Sequence, residues 1–404
     1  MTSSGIRDRV AIVSMGCTKF GEHWDRSADD LLIDAVGEAL STSPVQAEDV
    51  EAYWLGTVSA GQSGLTLSRP LHIQYRPVSR VENYCATGSE AFRNACYGVA
   101  SGAFNVAMAV GVEKLKDNGM VGLPPMPGRT DGTQTEISAP ALFGMIAPAY
   151  AERFGLDDEQ MREILTRIAW KNHHNGSRNP RAHFRQEVAR EVISTAPQVA
   201  GPLRLFDCSG VSDGAAAAII VPAEDAHKYT DSPIFVKALS LIAGPANGTI
   251  SPDYDFTTFE EVARSARDAY AQAGISDPRH QLAMAEVHDC FTPTELVLME
   301  DLGFAERGTA WKDVLAGSFD LDGDLPVNPD GGLKSFGHPI GASGLRMMFE
   351  AWLQLRGEAP EERILGTVRD EGRTLALTHN LGGAPGECVS FVSILGSSLG
   401  VASD

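Results

Sequence analysis

The amino-acid sequence predicts an α/β protein built from two related halves. Apolar stretches of strand length alternate with amphipathic helical stretches along most of the 404 residues. The order strand, helix, strand near the N-terminus returns in the second half of the chain, which indicates an internal duplication. Each half then reaches a glycine-rich turn that opens a further helix.

In the first half, residues 10–14 are expected to form a buried strand. Ser27, with Asp30 three residues later, is a candidate helix cap, and apolar residues follow at helical spacing up to position 40. A short strand is expected at 52–58. The turn at 83–89 then opens a helix with one apolar face.

The second half repeats this order, with a strand at 234–241, a helix at 261–273 and a strand at 282–287. Glu261 follows Asp30 by 231 positions, and Ala266 follows Ala35 by the same 231 positions. The turn at 337–344 opens the corresponding helix. We therefore expect an internal duplication of a strand–helix–strand unit.

Residues 118–200 interrupt the pattern. They begin with a Pro- and Gly-rich stretch at 122–128 and continue with a predicted helix near 158–172 and a His-containing segment at 172–175. Periodic apolar positions favour an inserted loop domain or lid over a linker. The predicted division is an N-terminal half (1–117 and 201–232), the loop domain (118–200) and a C-terminal half (233–404).

Composition excludes several functions. The formal net charge of -20 disfavours a nucleic-acid partner. The longest apolar stretches have strand length, far below the roughly 20 residues of a membrane span. The six cysteines are scattered and the N-terminus lacks the pattern of a secretory signal, so we expect free thiols and a cytoplasmic protein.

Cys85 is the first candidate catalytic residue, because it lies at a predicted strand-to-helix turn. The positive end of the helix dipole there favours a thiolate, and Gly88 leaves room for a substrate. A buried core thiol is the alternative. The apolar face of the same helix already contains Cys96, which favours a functional Cys85.

Three further stretches carry candidates. His338 lies just before a helix among glycines that indicate close approach by a ligand or another backbone. His288 and Cys290 follow a predicted strand, and its alternation would point both to the same side. They could divide acid/base and oxyanion-stabilising work, or be half of a metal site. Gly382, in the turn 379–383, could offer a backbone N–H to an oxyanion or be part of a plain turn.

Together these stretches resemble the thiolase superfamily over nearly the whole chain, and most closely the sterol-carrier-protein type thiolases with their bacterial and archaeal relatives. The matching segments are Asn-Tyr-Cys-Ala-Thr-Gly-Ser at 83–89, His-Asp-Cys-Phe at 288–291, Gly-His-Pro at 337–339, Asn-Leu-Gly at 380–382, and residues 205–217.

The resemblance implies an α/β thiolase fold, in which two duplicated βαβαβαββ halves form a five-layered α-β-α-β-α arrangement with an inserted loop domain. It also implies at least a dimer, as a homodimer or a dimer of dimers. It implies that Cys85 carries an acyl group, that His338 activates it and forms one oxyanion hole with a water held by His288, and that Cys85 and Gly382 N–H groups form a second. Cys290 would be the acid/base. Coenzyme A would be the co-substrate beneath residues 118–200, with acyl-CoA substrates and no metal.

The sequence departs from the commoner thiolase pattern in two places. Many members have Asn-Glu-Ala-Phe where this chain has 288–291, and Cys-x-Gly where it has 380–382. Some relatives of the resembled branch are retro-aldolases or C-acyltransferases on steroid or aromatic substrates, often with a small OB-fold and zinc-ribbon partner. These activities, a decarboxylating ketosynthase and a non-catalytic acyl-CoA scaffold are the alternatives to a thiolase-type acyltransferase.

Overall fold

The computed structural model of the protein describes residues 5–118, 137–248, 251 and 253–400. The Pro- and Gly-rich stretch at 122–128 lies outside these described residues. Within them, no helix combines the length and the apolar character that crossing a bilayer requires.

The first half alternates strands and helices up to the start of the excursion. Its elements are β1 (Val10–Cys17), α1 (Ala28–Ser41), β2 (Ala52–Gly56), α2 (Leu65–Ser68), β3 (Val78–Val81), α3 (Thr87–Ala100) and β4 (Ala107–Glu113).

The excursion is mainly helical where it is described, and the chain then returns to the sheet. The elements are α4 (Ala139–Gly144), α5 (Ile146–Phe154), α6 (Asp158–Ser177), α7 (Arg190–Ser194), β5 (Gln198–Ala200), β6 (Leu203–Arg204) and the sheet strand β7 (Gly214–Pro222).

The second half has the same order with additional helices between its strands. Its elements are β8 (Ile234–Ala243), α8 (Glu260–Ala273), α9 (Pro278–Gln281), β9 (Leu282–Glu286), α10 (Thr292–Asp301), α11 (Ala310–Ala316), α12 (Gly332–Ser335), α13 (Ser343–Leu355), α14 (Gly366–Arg369), β10 (Leu375–Ala384) and β11 (Glu387–Gly396).

In the described part of the chain, nine strands form one sheet in the order β3-β2-β4-β7-β1-β8-β11-β10-β9. The first five strands belong to the first half and the last four to the second. The halves are joined where Ala11 and Ile12 of β1 pair with Phe235 and Ile234 of β8. The two halves are therefore related parts of one continuous sheet.

The second half differs from the first at the position of β3. On the edge of β9 that faces away from β10, the described residues form a single parallel bridge, between Ala285 and Val327. Pro326 and Pro329 flank this bridge and have no N–H to extend a ladder, and Asn328 has φ +53°. The third strand of this half is therefore reduced to one residue.

Helices α3 and α13 contact each other between the two halves of the sheet, while α1 packs on β1 and β7 and α8 packs on β8 and β11. This is a five-layered α-β-α-β-α arrangement. Glycine permits the close central contact, because a Cβ at Gly88 would lie 2.7 Å from the Gly341 oxygen. The glycines around His338 thus serve the approach of another backbone.

Most predicted elements are present with shifted ends. The expected strand at 10–14 extends to Cys17, and the expected helix at 158–172 extends to Ser177. The helix cap is confirmed, since the Ser27 side chain accepts from the Asp30 N–H and the Asp30 carboxylate accepts from the Ser27 N–H. Ends shift because tertiary contacts, rather than periodicity, decide where an element stops.

Candidate active site

Cys85 lies in a tight turn immediately before α3. The preceding residue, Tyr84, has φ +49°, a conformation that a non-glycine side chain rarely adopts. The Thr87 hydroxyl holds the turn, because its oxygen accepts from the Asn83 N–H at 2.9 Å and its proton goes to the Tyr84 carbonyl at 2.5 Å. The half-buried Cys85 side chain is therefore presented at the start of α3.

Two histidines from the second half meet this cysteine. The Cys85 Sγ and one ring nitrogen each of His288 and His338 lie within 4.8 Å of one another. The two rings are 5.3 Å apart between centroids and nearly perpendicular, at 80°. The fold thus brings together three of the residues that the sequence predicts for the site.

The hydrogen bonds of His338 fix which of its nitrogens carries the proton. Nδ1 lies 2.7 Å from the Ser343 hydroxyl, and that hydroxyl donates its only proton to the Pro339 carbonyl at 3.0 Å. The Ser343 oxygen must therefore accept from Nδ1–H. Nε2, which has no protein partner among the described residues, keeps its lone pair and can act as a base.

His288 has the opposite arrangement. The Asn380 amide nitrogen lies 3.4 Å from His288 Nδ1, and the Asn380 amide oxygen accepts from the Ser89 hydroxyl at 2.5 Å. An amide nitrogen can only donate, so His288 Nδ1 accepts and the ring proton is on Nε2. The neutral His288 ring is therefore a hydrogen-bond donor toward the site.

Cys290 is buried near Cys85. Its thiol lies 3.8 Å from the Thr294 hydroxyl in the first turn of α10. Burial raises the pKa of Cys290 well above its ordinary value, and the neighbouring Cys85 raises it further. At neutral pH this thiol holds its proton and can donate it to a carbanion.

Gly382 lies against the turn that carries Cys85. A Cβ at this position would be 2.3 Å from the Asn83 oxygen and 3.3 Å from the Ala86 nitrogen. Only glycine therefore lets β10 approach the nucleophile turn so closely.

Burial and nearby acidic groups oppose the expected Cys85 thiolate in the protein without substrate. Burial raises the pKa of Cys85 to about 12, with Glu113 and Glu82 adding to the effect. Burial, followed by the charge of Arg346, lowers the pKa of His338 to about 3. Loss of hydration disfavours a thiolate and so opposes the stabilisation expected from the helix dipole. Both groups are therefore neutral at physiological pH.

Ser343 and Asn380 orient the two histidines, and no role is predicted for either residue from the sequence. Asn380 belongs to a recognised motif, and Ser343 lies five residues after His338 at the start of α13. Cys388 lies in β11, and its thiol donates to the Ala384 carbonyl at 2.6 Å.

The cluster of Cys85, His288 and His338 also has the donor types of a zinc site. The His338 lone pair and a Cys85 thiolate would be suitable ligands. The Nε2 proton of His288, fixed by Asn380, opposes coordination by that nitrogen. The hydrogen-bond pattern fits proton transfer better than metal binding.

Comparisons with known proteins identify the family. A family model described as "Thiolase, N-terminal domain" matches residues 10–224, and one described as "Thiolase C-terminal domain-like" matches residues 245–397. The chain belongs to the thiolase family.

Named relatives cover most of this thiolase. An acetyl-CoA acetyltransferase of Methanothermobacter thermautotrophicus is 37% identical over 93% of this chain and 97% of its own length. The human protein "Sterol carrier protein 2" is 30% identical over 93% of this chain and 70% of its own length. The resemblance to the sterol-carrier-protein branch is thereby confirmed.

Solved structures share the fold. A chain of the "Ltp2-ChsH2(DUF35) aldolase" has a TM-score of 0.80 at 23% identity, covering 97% of this thiolase and 98% of that chain. Human mitochondrial 3-ketoacyl-CoA thiolase has a TM-score of 0.67 at 20% identity, covering 97% and 99%. The predicted thiolase fold is confirmed.

A cavity of about 610 Å³ lies beneath the described part of the excursion of this thiolase. Its lining joins Ala139 and His173 of the excursion to Ser209, Phe291 and Lys334 of the body. Phe291 directly follows Cys290, and the N–H of Ser209 donates to the Cys290 carbonyl at 2.9 Å, so the cavity wall adjoins the backbone of Cys290.

Proposed function

We propose that this thiolase is an acyltransferase that cleaves 3-ketoacyl-CoA with CoA, or condenses acyl-CoAs in reverse, through an acyl thioester on Cys85. The observation that carries the proposal is the neutral pair formed by the Cys85 thiol and the His338 ring, whose Nε2 lone pair lies in the site. Such a pair separates charge only when a substrate carbonyl carbon is ready to receive the sulfur.

In the first step, His338 Nε2 takes the Cys85 proton as the sulfur attacks the 3-keto carbon. The resulting oxyanion is held by the backbone N–H groups of Cys85 and Gly382. The bond between the 2- and 3-carbons then breaks, and its electron pair passes into the enolate of acetyl-CoA or a propionyl equivalent. The protonated His338 and a water held by His288 stabilise that enolate, and the Cys290 thiol protonates its carbon.

In the second step, the Cys290 thiolate removes the proton of an incoming CoA thiol, which attacks the acyl group on Cys85. The Cys85 sulfur leaves and recovers its proton from His338. Every group returns to its starting protonation state. The high pKa of Cys290 suits both roles, because its thiol is a weak acid and its thiolate a strong base.

Coenzyme A is proposed to lie in the cavity beneath residues 118–200, which would form a covering domain between the N-terminal half (1–117 and 201–232) and the C-terminal half (233–404). Supporting this placement, Ser209 lines the cavity and its N–H donates to the Cys290 carbonyl at 2.9 Å. A pantetheine arm in the cavity would therefore lead to the reacting sulfur.

Intact-protein mass spectrometry after mixing with a 3-ketoacyl-CoA tests the proposal. We expect a mass increase equal to the shortened acyl group, located on Cys85 and discharged by added CoA. Absence of any adduct with every acyl-CoA tried, with the protein alone and with its co-purifying partners, would overturn acyl transfer and favour a non-catalytic scaffold.

The same experiment distinguishes a retro-aldolase from an acyltransferase. A retro-aldolase would cleave the carbon–carbon bond without forming an adduct on Cys85. Retention of both Cys85 and Cys290 supports acyl transfer. An acceptor other than CoA, as in a C-acyltransferase, would appear as an adduct that CoA does not discharge. A small OB-fold and zinc-ribbon partner would be detected by its co-purification.

We also propose a homodimer, or a dimer of such dimers, formed across the β3 edge of the sheet. Supporting this, Leu65, Tyr75, Tyr84 and Tyr97 are exposed large apolar side chains on or near the segments that flank β3. Sedimentation-equilibrium mass measures the state directly, and a monomer at all concentrations contradicts it. Six free cysteines support the cytoplasm as the compartment.

A further inference from the structure

We propose that Lys334 and His173 form a carboxylate-binding position in the cavity, so that the acyl group of the substrate carries an anionic end. This inference rests on the proposed acyl-CoA function and narrows its substrate class. It arises from an unbalanced buried charge beside the site.

Lys334 lies in α12, four residues before His338, and its side chain is 1% exposed. Its ammonium group donates to the Cys208 carbonyl at 3.2 Å and forms no ion pair with any residue that the structure describes. Two other buried lysines do pair with carboxylates. Lys171 is 2.9 Å from Glu295, and Lys237 is 2.5 Å from Asp8. Lys334 therefore has unused hydrogen-bonding capacity directed into a low-dielectric site.

Asp207, Asp289 and Glu295 act electrostatically on Lys334, but each carboxylate is hydrogen-bonded or ion-paired to other groups. Asp207 is held by both terminal nitrogens of Arg162 at 2.7 Å and by the Thr292 hydroxyl at 2.9 Å. Asp289 accepts from the Asn172 amide at 2.8 Å and from the Leu333 N–H at 2.6 Å. A buried cation without a close counter-ion is costly, and an anionic ligand group would remove that cost.

His173 supplies a second polar group on the same cavity wall. It is 5% exposed, and its Nδ1 has no hydrogen-bond partner within the described ranges. Its ring packs 5.3 Å from the Phe206 ring and 6.2 Å from the Phe184 ring, measured between centroids. An imidazole in aromatic surroundings with an unpaired nitrogen fits a ligand oxygen.

The position of Lys334 favours an interaction with the acyl group of the substrate over one with the phosphates of CoA. Cys208, the partner of Lys334, forms a bridge with Phe291, and Phe291 directly follows Cys290. The pantetheine arm separates the CoA diphosphate from its sulfur, so a group beside Cys290 belongs to the acyl end. The apolar walls around Lys334 strengthen its attraction for a carboxylate.

The test is equilibrium binding by calorimetry in a Cys85→Ala background, which prevents turnover. The probes are two 3-ketoacyl-CoA thioesters of equal chain length, one ending in a methyl group and the other in a carboxylate. With Lys334 present, we expect the carboxylate-ended thioester to bind about ten- to a hundredfold tighter. Lys334→Met should abolish this preference, Lys334→Arg should retain part of it, and His173→Phe should reduce it.

Lys116→Met is the matched control, because Lys116 lines the same cavity but pairs with Glu22 at 2.6 Å. Lys116→Met should change the dissociation constants of the two thioesters by the same factor. Equal affinity for the two thioesters with Lys334 present would overturn the inference. A Lys334→Met variant that weakens the binding of both thioesters equally would also overturn it. If Lys334→Met weakened the binding of adenosine 3′,5′-bisphosphate to a similar extent, Lys334 would instead be assigned to the nucleotide part of CoA, which would also overturn the inference. None of these results depends on the Cys85 adduct that tests the proposed function.

Discussion

The Ser343 hydroxyl accepts a hydrogen bond from His338 Nδ1 at 2.7 Å while donating its own proton to the Pro339 carbonyl. This relationship leaves the His338 lone pair on Nε2, where Cys85 can be deprotonated. Because a hydroxyl has only one proton, the chain of donors determines the tautomer. Ser343 is thereby a positioning residue for the base.

Removal of that hydroxyl should weaken catalysis through His338. Ser343→Ala is expected to lower kcat about tenfold with a smaller change in KM, because the wrong His338 tautomer becomes populated. Steady-state kinetics of Ser343→Ala, His338→Ala and the double variant measure the coupling. An additive effect of Ser343→Ala in the His338→Ala background would contradict this role.

The protonation state of Cys85 predicts its reactivity toward alkylating agents. With a pKa raised to about 12, the thiolate fraction grows with pH throughout the accessible range. The rate of iodoacetamide modification without substrate should therefore rise about tenfold per unit between about pH 6 and 9, with no plateau. Intact mass against time gives the rate, with Cys85→Ser identifying the site. A rate independent of pH would indicate a thiolate–imidazolium pair instead.

Cys290 should affect carbon–carbon cleavage more than thioester exchange. Cys290→Ala is expected to lower the cleavage rate about a hundred- to ten-thousandfold, the range typical of a lost general acid. Single-turnover kinetics with a 3-ketoacyl-CoA measure cleavage. Cys388→Ala is the matched control, because Cys388 is also a buried thiol but lies in β11. Unchanged cleavage in Cys290→Ala would refute the assignment.

Gly382→Ala should displace the nucleophile turn. The new Cβ would lie 2.3 Å from the Asn83 oxygen, so either β10 or the turn must move. We expect kcat/KM to fall about a hundredfold, since misplacing a reacting group by about 1 Å has that effect. Gly37→Ala serves as the control, because a Cβ at Gly37 meets nothing within 4 Å. Full activity in Gly382→Ala would show that the turn tolerates the shift.

His379 should make the protein sensitive to acid. It is fully buried, and neither ring nitrogen has a hydrogen-bond partner among the described residues. Burial lowers its pKa from 6.5 to about 3. Between these values the unfolded chain binds a proton that the folded protein does not, so the free energy of unfolding falls as pH decreases, by about 1.4 kcal/mol per pH unit.

His379→Leu should therefore flatten this pH dependence by about one proton. Urea unfolding monitored by circular dichroism between about pH 4 and 7 measures the slope. His72→Gln, at an exposed position, should leave the slope unchanged. The same slope in His379→Leu and the unaltered protein would contradict the prediction.

Local patterns in the sequence were sufficient to predict the α/β class and the two related halves, whereas the five-layered arrangement followed from the family resemblance. Periodicity located α1 and α3, the Ser27–Asp30 pair located a helix start, and the repeat at constant offset indicated two halves. These features depend on residues within a short window, where side-chain spacing and capping act directly. The reduction of the third strand in the second half to Val327 depended on flanking prolines that the repeat did not reveal.

The chemistry of the site required contacts between distant parts of the chain. The sequence identified Cys85, His288, Cys290, His338 and Gly382 as candidates, and residue types with motif spacing were enough for that. The neutral state of Cys85, the tautomer set by Ser343 and the unpaired charge of Lys334 arise from burial and from partners brought together by the packed halves. Desolvation and hydrogen bonding depend on the whole three-dimensional environment, so spacing along the chain does not encode them.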